Sequence, residues 1–150
     1  MEFHGRNLRK GRHSQPGGIY LLTTVTHQRE PVFADWRIGR LLVRQLRQVE
    51  TGGLASSLAW VVMPDHFHWL VQLHEASLSR LVQRVKSCSA VRVNEQLHRS
   101  GPVWQKGFHD HALRKEEDLR ELDRYIIANP LRARLVARVG DYPLWDAIWL

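Results

Sequence analysis

The chain has 150 residues and a formal net charge of +7, with 22 Lys and Arg against 15 Asp and Glu and a sequence pI of about 10.3. This length suits one domain, 43% apolar residues suffice for a core, and the excess of cations favours a polyanionic partner, nucleic acid before an anionic membrane. The apolar runs are shorter than the ~18 residues needed to cross a bilayer, the first residues lack the apolar core of a signal peptide, and the single Cys88 excludes an internal disulfide. A cytoplasmic protein with no membrane partner is therefore expected.

Residues 1–18 read as a basic arm, closed by "PGG". "IYLLTTVTH", residues 19–27, is rich in β-branched and aromatic residues and predicts a strand. From 35 to 50, Ile38, Leu41, Leu42, Leu46 and Val49 recur at helical spacing with Arg37, Arg40, Arg44 and Arg47 mostly off that stripe, so a helix should face its arginines outward. "LASSLAWVVM" and "HFHWLVQL" predict an antiparallel pair broken at Pro64 and Asp65. Leu78, Leu81, Val82 and Val85 open a second helix running to about His98, with Arg80, Arg84, Lys86 and Arg92 on it. "VWQKGFHDHALR" alternates as a fourth strand. A third helix should begin after Lys115, where Glu116, Glu117 and Asp118 complement its positive end. The order is β-α-β-β-α-β-α. It predicts an α+β, ferredoxin-like βαββαβ sandwich with a central antiparallel sheet, followed by a C-terminal helix and an apolar tail, residues 141–150, that packs on the domain.

The run "VVMPDHFHWLVQL" places two histidines one residue apart. On a strand His66 and His68 share one face and Phe67 takes the other. By themselves such histidines are more often satisfied core groups than ligands. In "DRYIIANPLRARLV", Tyr125 and Asn129 stand four apart on one helix face. Tyr125 is either a nucleophile or a ring buried beside Leu122 and Ile126. Asn129 is either a cation ligand or the N-cap of a new helix that begins at Pro130. His109 and His111 form a second same-face pair, a rival metal site, a proton source, or plain hydrogen-bonding groups. Cys88 reads as structural, and Trp60 and Trp69 as core.

"HFH" has the His-hydrophobic-His form of the HUH single-strand nucleases, and "YIIAN" fits the Tyr-x-x-x-Asn helix of their single-tyrosine, IS200-like branch. With "GRHSQPGGIY", "WQKGFHDHALRKEEDL" and "DYPLWDAIW", nearly the whole chain resembles the REP-associated tyrosine transposases. The resemblance implies a metal-dependent endonuclease and strand transferase acting on single-stranded or hairpin DNA. His66, His68 and Asn129 would hold one divalent cation, Mg2+ or Mn2+, although imidazoles without carboxylates would ordinarily argue for zinc or nickel. Tyr125 would form a 5′-phosphotyrosine intermediate. Arg6, Arg9, Lys10, Arg12, His13 and Ser14 of the arm would follow phosphates and base edges at the foot of a REP-type hairpin. The protein would act as monomer or homodimer. The competing expectation is a catalytically silent, hairpin-binding regulator. The residues name no base for the tyrosine.

Overall fold

The structure, a computed structural model, describes residues 15–113 and 119–147. The arm residues Arg6, Arg9, Lys10, Arg12, His13 and Ser14, the acidic run Glu116, Glu117 and Asp118, and the end of the tail fall outside the described residues. In chain order the elements are β1 (Ile19–Val25), α1 (Trp36–Thr51), β2 (Ala55–Met63), β3 (His66–Leu73), α2 (Leu78–Leu97), β4 (His109–Ala112), α3 (Leu119–Ile127), α4 (Asn129–Arg132) and β5 (Trp145–Ala147). The strands lie side by side as β4-β1-β3-β2-β5, and every neighbouring pair is antiparallel. The first four strands give the expected ferredoxin-like arrangement.

Strand alternation divides the core between the two sheet faces. On one face, Leu22, Trp60, Val62, Phe67, Trp69 and Val71 meet Ile38, Leu42 and Leu46 of α1 and Leu81, Val82 and Val85 of α2. Trp69 is fully buried and its indole N–H donates to Ser57 Oγ at 2.8 Å; truncating such a ring to Ala costs about 3–5 kcal/mol. On the other face, Val61, Met63 and Leu70 meet Ile126 and Ile127 of α3. The helix is thus held to the sheet by its own apolar stripe.

Local chemistry sets the helix ends. The Asp35 carboxylate accepts the Arg37 amide at 2.9 Å and caps α1, and Ser77 accepts the Arg80 amide at 3.2 Å and caps α2. The four α1 arginines face out as expected. Gly39 matters for packing, because a Cβ there would meet Leu144 Cδ1 at 2.4 Å. The missing side chain lets the C-terminal segment lie against α1.

Three expectations need correction. The fourth strand is confined to His109–Ala112. Gly107 takes φ 74°, and the Lys86 ammonium donates to the carbonyls of Gln105 and Gly107 at 2.5 and 2.9 Å, so those groups leave the ladder; Trp104 makes only an isolated bridge to Thr26. Asn129 is not an N-cap. Ala128 occupies that position, and the Asn129 amide donates backward to Ile126 O at 3.0 Å. The apolar tail, expected only to pack, adds a fifth strand against β2, with the Tyr142 hydroxyl donating to Val62 O.

Candidate active site

Val61 is the cross-strand partner of His68 and Met63 that of His66, and directly opposed residues point to the same side. Since Val61 and Met63 pack with Ile126 and Ile127, the histidine pair shares the sheet face that carries α3. Phe67 points the other way, its ring 5.5 Å from that of Trp104, and anchors the strand between the imidazoles.

Each imidazole is held through Nδ1. His66 donates to Asp65 Oδ1 at 2.7 Å, and His68 Nδ1 lies 2.8 Å from Thr23 Oγ1. The rings are edge to face with centroids 4.9 Å apart. Fixing Nδ1 on both rings leaves Nε2 as the nitrogen open to a ligand. Burial, with the positive charges of His66 and Arg132 adding to it, holds the pKa of His68 down to about 4. At neutral pH it is an uncharged imidazole with a lone pair to give.

Asp65 sits in the tight turn between β2 and β3. Burial raises its carboxyl, but hydrogen bonds from His66 and Arg29 outweigh that and keep it below the usual carboxylate range. The Arg29 Nε reaches Asp65 Oδ2 at 3.1 Å. Gln28 and Arg29 take φ of 55° and 53°, a left-handed conformation that is uncommon for non-glycine residues. Thr26 fastens the turn further, its amide and hydroxyl both donating to Asp65 O, at 2.9 and 3.0 Å.

Tyr125 is 55% exposed, so its ring is not core. The bonds from Asn129 Nδ2 to Ile126 O and, at 3.5 Å, to Tyr125 O leave the amide oxygen as the part they do not use. Among the described residues no group of three His, Cys, Asp or Glu side chains assembles to hold a metal. A cation bound at the two imidazoles would therefore need an amide or a backbone group as third protein ligand. Two imidazole Nε2 atoms and an amide oxygen are donors of the kind that a divalent ion takes.

His109 is opposite Thr23 on β1, and Thr23 is opposite His68 on β3. His68, Thr23 and His109 form a row on one face, which puts His109 two strand spacings, about 10 Å, from His68. His111 is exposed and Asp110 is buried on the opposite face.

Sequence reasoning missed four residues: Thr23, Asp65, Arg132 and Asp123. Arg132 lies over the Tyr125 ring, 3.9 Å from Cζ to centroid, and donates to Tyr125 O at 2.6 Å. Asp123 is buried on the sheet side of α3, and its carboxylate oxygens have no hydrogen-bond partner among the described residues. Burial pushes its pKa up to about 6. A carboxylate inside the stripe Leu119, Leu122, Ile126 and Ile127 was the signal that could have revealed it.

A strand-borne histidine pair facing a tyrosine helix on a ferredoxin-like sheet defines a class, and the comparisons name it: the model of the IS200-like transposases matches residues 15–129. The chain belongs to that family. It is 28% identical over 138 residues to a Haemophilus influenzae protein named among the REP-associated tyrosine transposases, covering 85% of this chain and 78% of that one. The REP-associated tyrosine transposase of Escherichia coli K12 is 32% identical over 89 residues, covering 57% of this chain and 50% of its own length. A solved structure described as a REP-associated tyrosine transposase bound to a REP hairpin matches with a TM-score of 0.72 at 24% identity, over 89% of this chain and 79% of that one. Among the described residues, no helix is long and apolar enough to cross a membrane.

Proposed function

We propose that this transposase-family chain cleaves and rejoins single-stranded DNA beside a REP-like hairpin, with Tyr125 as nucleophile. The observation that carries the reading is an exposed tyrosine on a helix packed against the sheet face of an Nδ1-anchored histidine pair. The hairpin seen with the structural neighbour supports the choice of substrate.

Tyr125 Oη attacks the phosphorus in line, the Oη–P bond forms, and the bond to the 3′ oxygen breaks. The phenolic proton is lost and the departing oxygen gains one. The product is a 5′-phosphotyrosine with a free DNA 3′-OH. The new diester conserves the bond energy, so attack by a 3′-OH reverses the step and joins strands without ATP.

His66, His68 and Asn129 would hold one divalent cation, Mg2+ or Mn2+. When bound, such an ion draws charge from the phosphate oxygens and supports the leaving oxygen. The chain's part is to orient the ligands: Asp65 fixes His66, Thr23 fixes His68, and burial keeps His68 unprotonated.

The arm residues 6–14 would follow the hairpin backbone. Arg40, Arg44 and Arg47 add an exposed stripe on α1 with no carboxylate partner among the described residues. Phosphates suit it.

The test is incubation of the protein with an end-labelled hairpin DNA and Mg2+, followed by denaturing electrophoresis. A labelled band at the protein's mass is expected. DNA that is bound but never cleaved nor linked would favour the silent regulator.

A further inference from the structure

Arg132 belongs to no part of the site read from sequence, yet it touches the nucleophile twice. Its guanidinium lies over Tyr125, with Cζ 3.9 Å from the ring centroid, while Nη2 donates to Tyr125 O at 2.6 Å. The second contact has a plain origin. The helix breaks at Ala128, which leaves carbonyls of the last turn of α3 without amide partners, and a basic side chain from the next turn satisfies one of them. Anchored there, the planar head can only lie across the ring that projects from the same residue. Arg132 has no carboxylate partner among the described residues, so its charge is not cancelled. Its charge also acts on His68.

We propose that Arg132 is the positioning residue of the nucleophile, holding the Tyr125 ring by stacking and supplying the fixed positive charge against which the phenolic oxygen develops its negative charge during attack. This deepens, and rests on, the reading of Tyr125 as nucleophile. Arginine is suited to the task because it stays protonated at any working pH and stacks as a plane, which lysine cannot do. A fixed opposite charge within a few ångströms stabilises negative charge that develops during the attack. It also receives the incoming phosphodiester, which is itself an anion.

The experiment compares wild type, Arg132→Ala, Arg132→Lys and Tyr125→Phe. Single-turnover formation of the covalent adduct and hairpin affinity are measured with a labelled hairpin and Mg2+. Separately, 19F NMR of the 3-fluorotyrosine-labelled proteins is recorded without DNA or metal; with only Tyr20, Tyr125 and Tyr142 in the chain, the Tyr125 line is assigned by its absence from Tyr125→Phe. Arg132→Ala is expected to shift the Tyr125 line alone and to slow adduct formation by about 10²-fold, with hairpin affinity changed less than about 3-fold, since the substitution removes at most one cation from the phosphate-binding surface. Arg132→Lys should recover only part of the rate. Added guanidinium ion should restore Arg132→Ala more than the same concentration of NaCl does, and should restore Tyr125→Phe not at all.

A wild-type rate in Arg132→Ala overturns the proposal. So does a slow variant that guanidinium rescues no better than NaCl, which would reduce Arg132 to a helix cap. If Tyr125→Phe still forms the adduct, the nucleophile reading fails and the proposal falls with it, while the 19F shift would still report the Arg132 stack. The two failures are thereby told apart.

Discussion

Thr23 Oγ1 stands 2.8 Å from His68 Nδ1 across the β1/β3 ladder, and Asp65 Oδ1 stands 2.7 Å from His66 Nδ1. Both imidazoles are thus oriented from behind, by residues that would not touch the metal. Outer partners of this kind typically contribute about 10- to 100-fold to metal affinity. Thr23→Val keeps the branched strand side chain and removes the hydroxyl; Asp65→Asn keeps the turn and removes the charge. Each variant should bind Mn2+ about 10-fold more weakly by calorimetry while keeping its fold by circular dichroism. Unaltered Mn2+ affinity in both would show that the partners only satisfy buried nitrogens.

Two groups, the buried Asp123 and the half-buried His68, pull the pH dependence of stability in opposite directions. Asp123 is raised to about 6 from 3.8, so the native state favours its protonated form; the stability it contributes is present below pH 3.8 and lost as pH rises through 6. His68 is lowered from 6.5 to about 4, so the native state favours its neutral form; that stability is present above pH 6.5 and lost as pH falls through 4. Between 4 and 6 the two effects oppose each other. Asp123→Asn removes the falling contribution, so urea unfolding of this variant should show stability rising more steeply with pH across that window than in the wild type. Equal slopes would mean that Asp123 is not a buried carboxyl in solution.

The arginine stripe on α1 lies on the opposite sheet face from the histidines. If the duplex stem of the hairpin passes round the sheet edge onto it, Arg40→Gln with Arg44→Gln should flatten the dependence of log affinity on log salt by about 0.9 unit for each phosphate that is no longer neutralised. Fluorescence anisotropy across a salt series measures this, with deletion of residues 1–14 as the parallel test of the arm. A slope unaffected by the double substitution would leave α1 as a solubilising face.

Local sequence patterning made most of the sheet legible. The β-branched and aromatic run at 19–27, the two apolar runs broken at Pro64 and Asp65, and the apolar stripes of the two long helices mark β1, β2, β3, α1 and α2, because each pattern is local and long. It failed where tertiary contacts decide. β5 is three residues long, too short for a period. β4 is cut back because Lys86, about a helix and a loop away, engages the carbonyls that a longer strand would pair. At the site, the candidate residues could be named from their spacing and from the family they resemble. Their partners could not, since Thr23 and His68 are 45 positions apart and only strand register brings them together. Arg132 was hidden for a different reason: in "NPLRAR" it is one of two arginines in an exposed turn, and nothing in the spacing says which lies on Tyr125.

Tyr125→Phe should abolish the adduct while changing stability by no more than about 0.5 kcal/mol, since the position is exposed and the contacts to Arg132 involve the ring and the backbone carbonyl, which the substitution keeps. The ring, and with it the Arg132 stack, is retained. A melting temperature close to wild type, together with no labelled protein band, is the expected pair of results. A large loss of stability would mean that the hydroxyl has a structural partner.

Covalent linkage of Tyr125 to DNA is the central claim, and peptide mapping tests it most directly. The protein is incubated with hairpin DNA and Mg2+, digested with trypsin and a nuclease, and the nucleotide-bearing peptide is identified by mass spectrometry. The predicted result is a phosphodiester mass on Tyr125, joined to the 5′ end of the released strand. The same modification on Tyr20 or Tyr142, or cleaved DNA with no modified tyrosine, would contradict it.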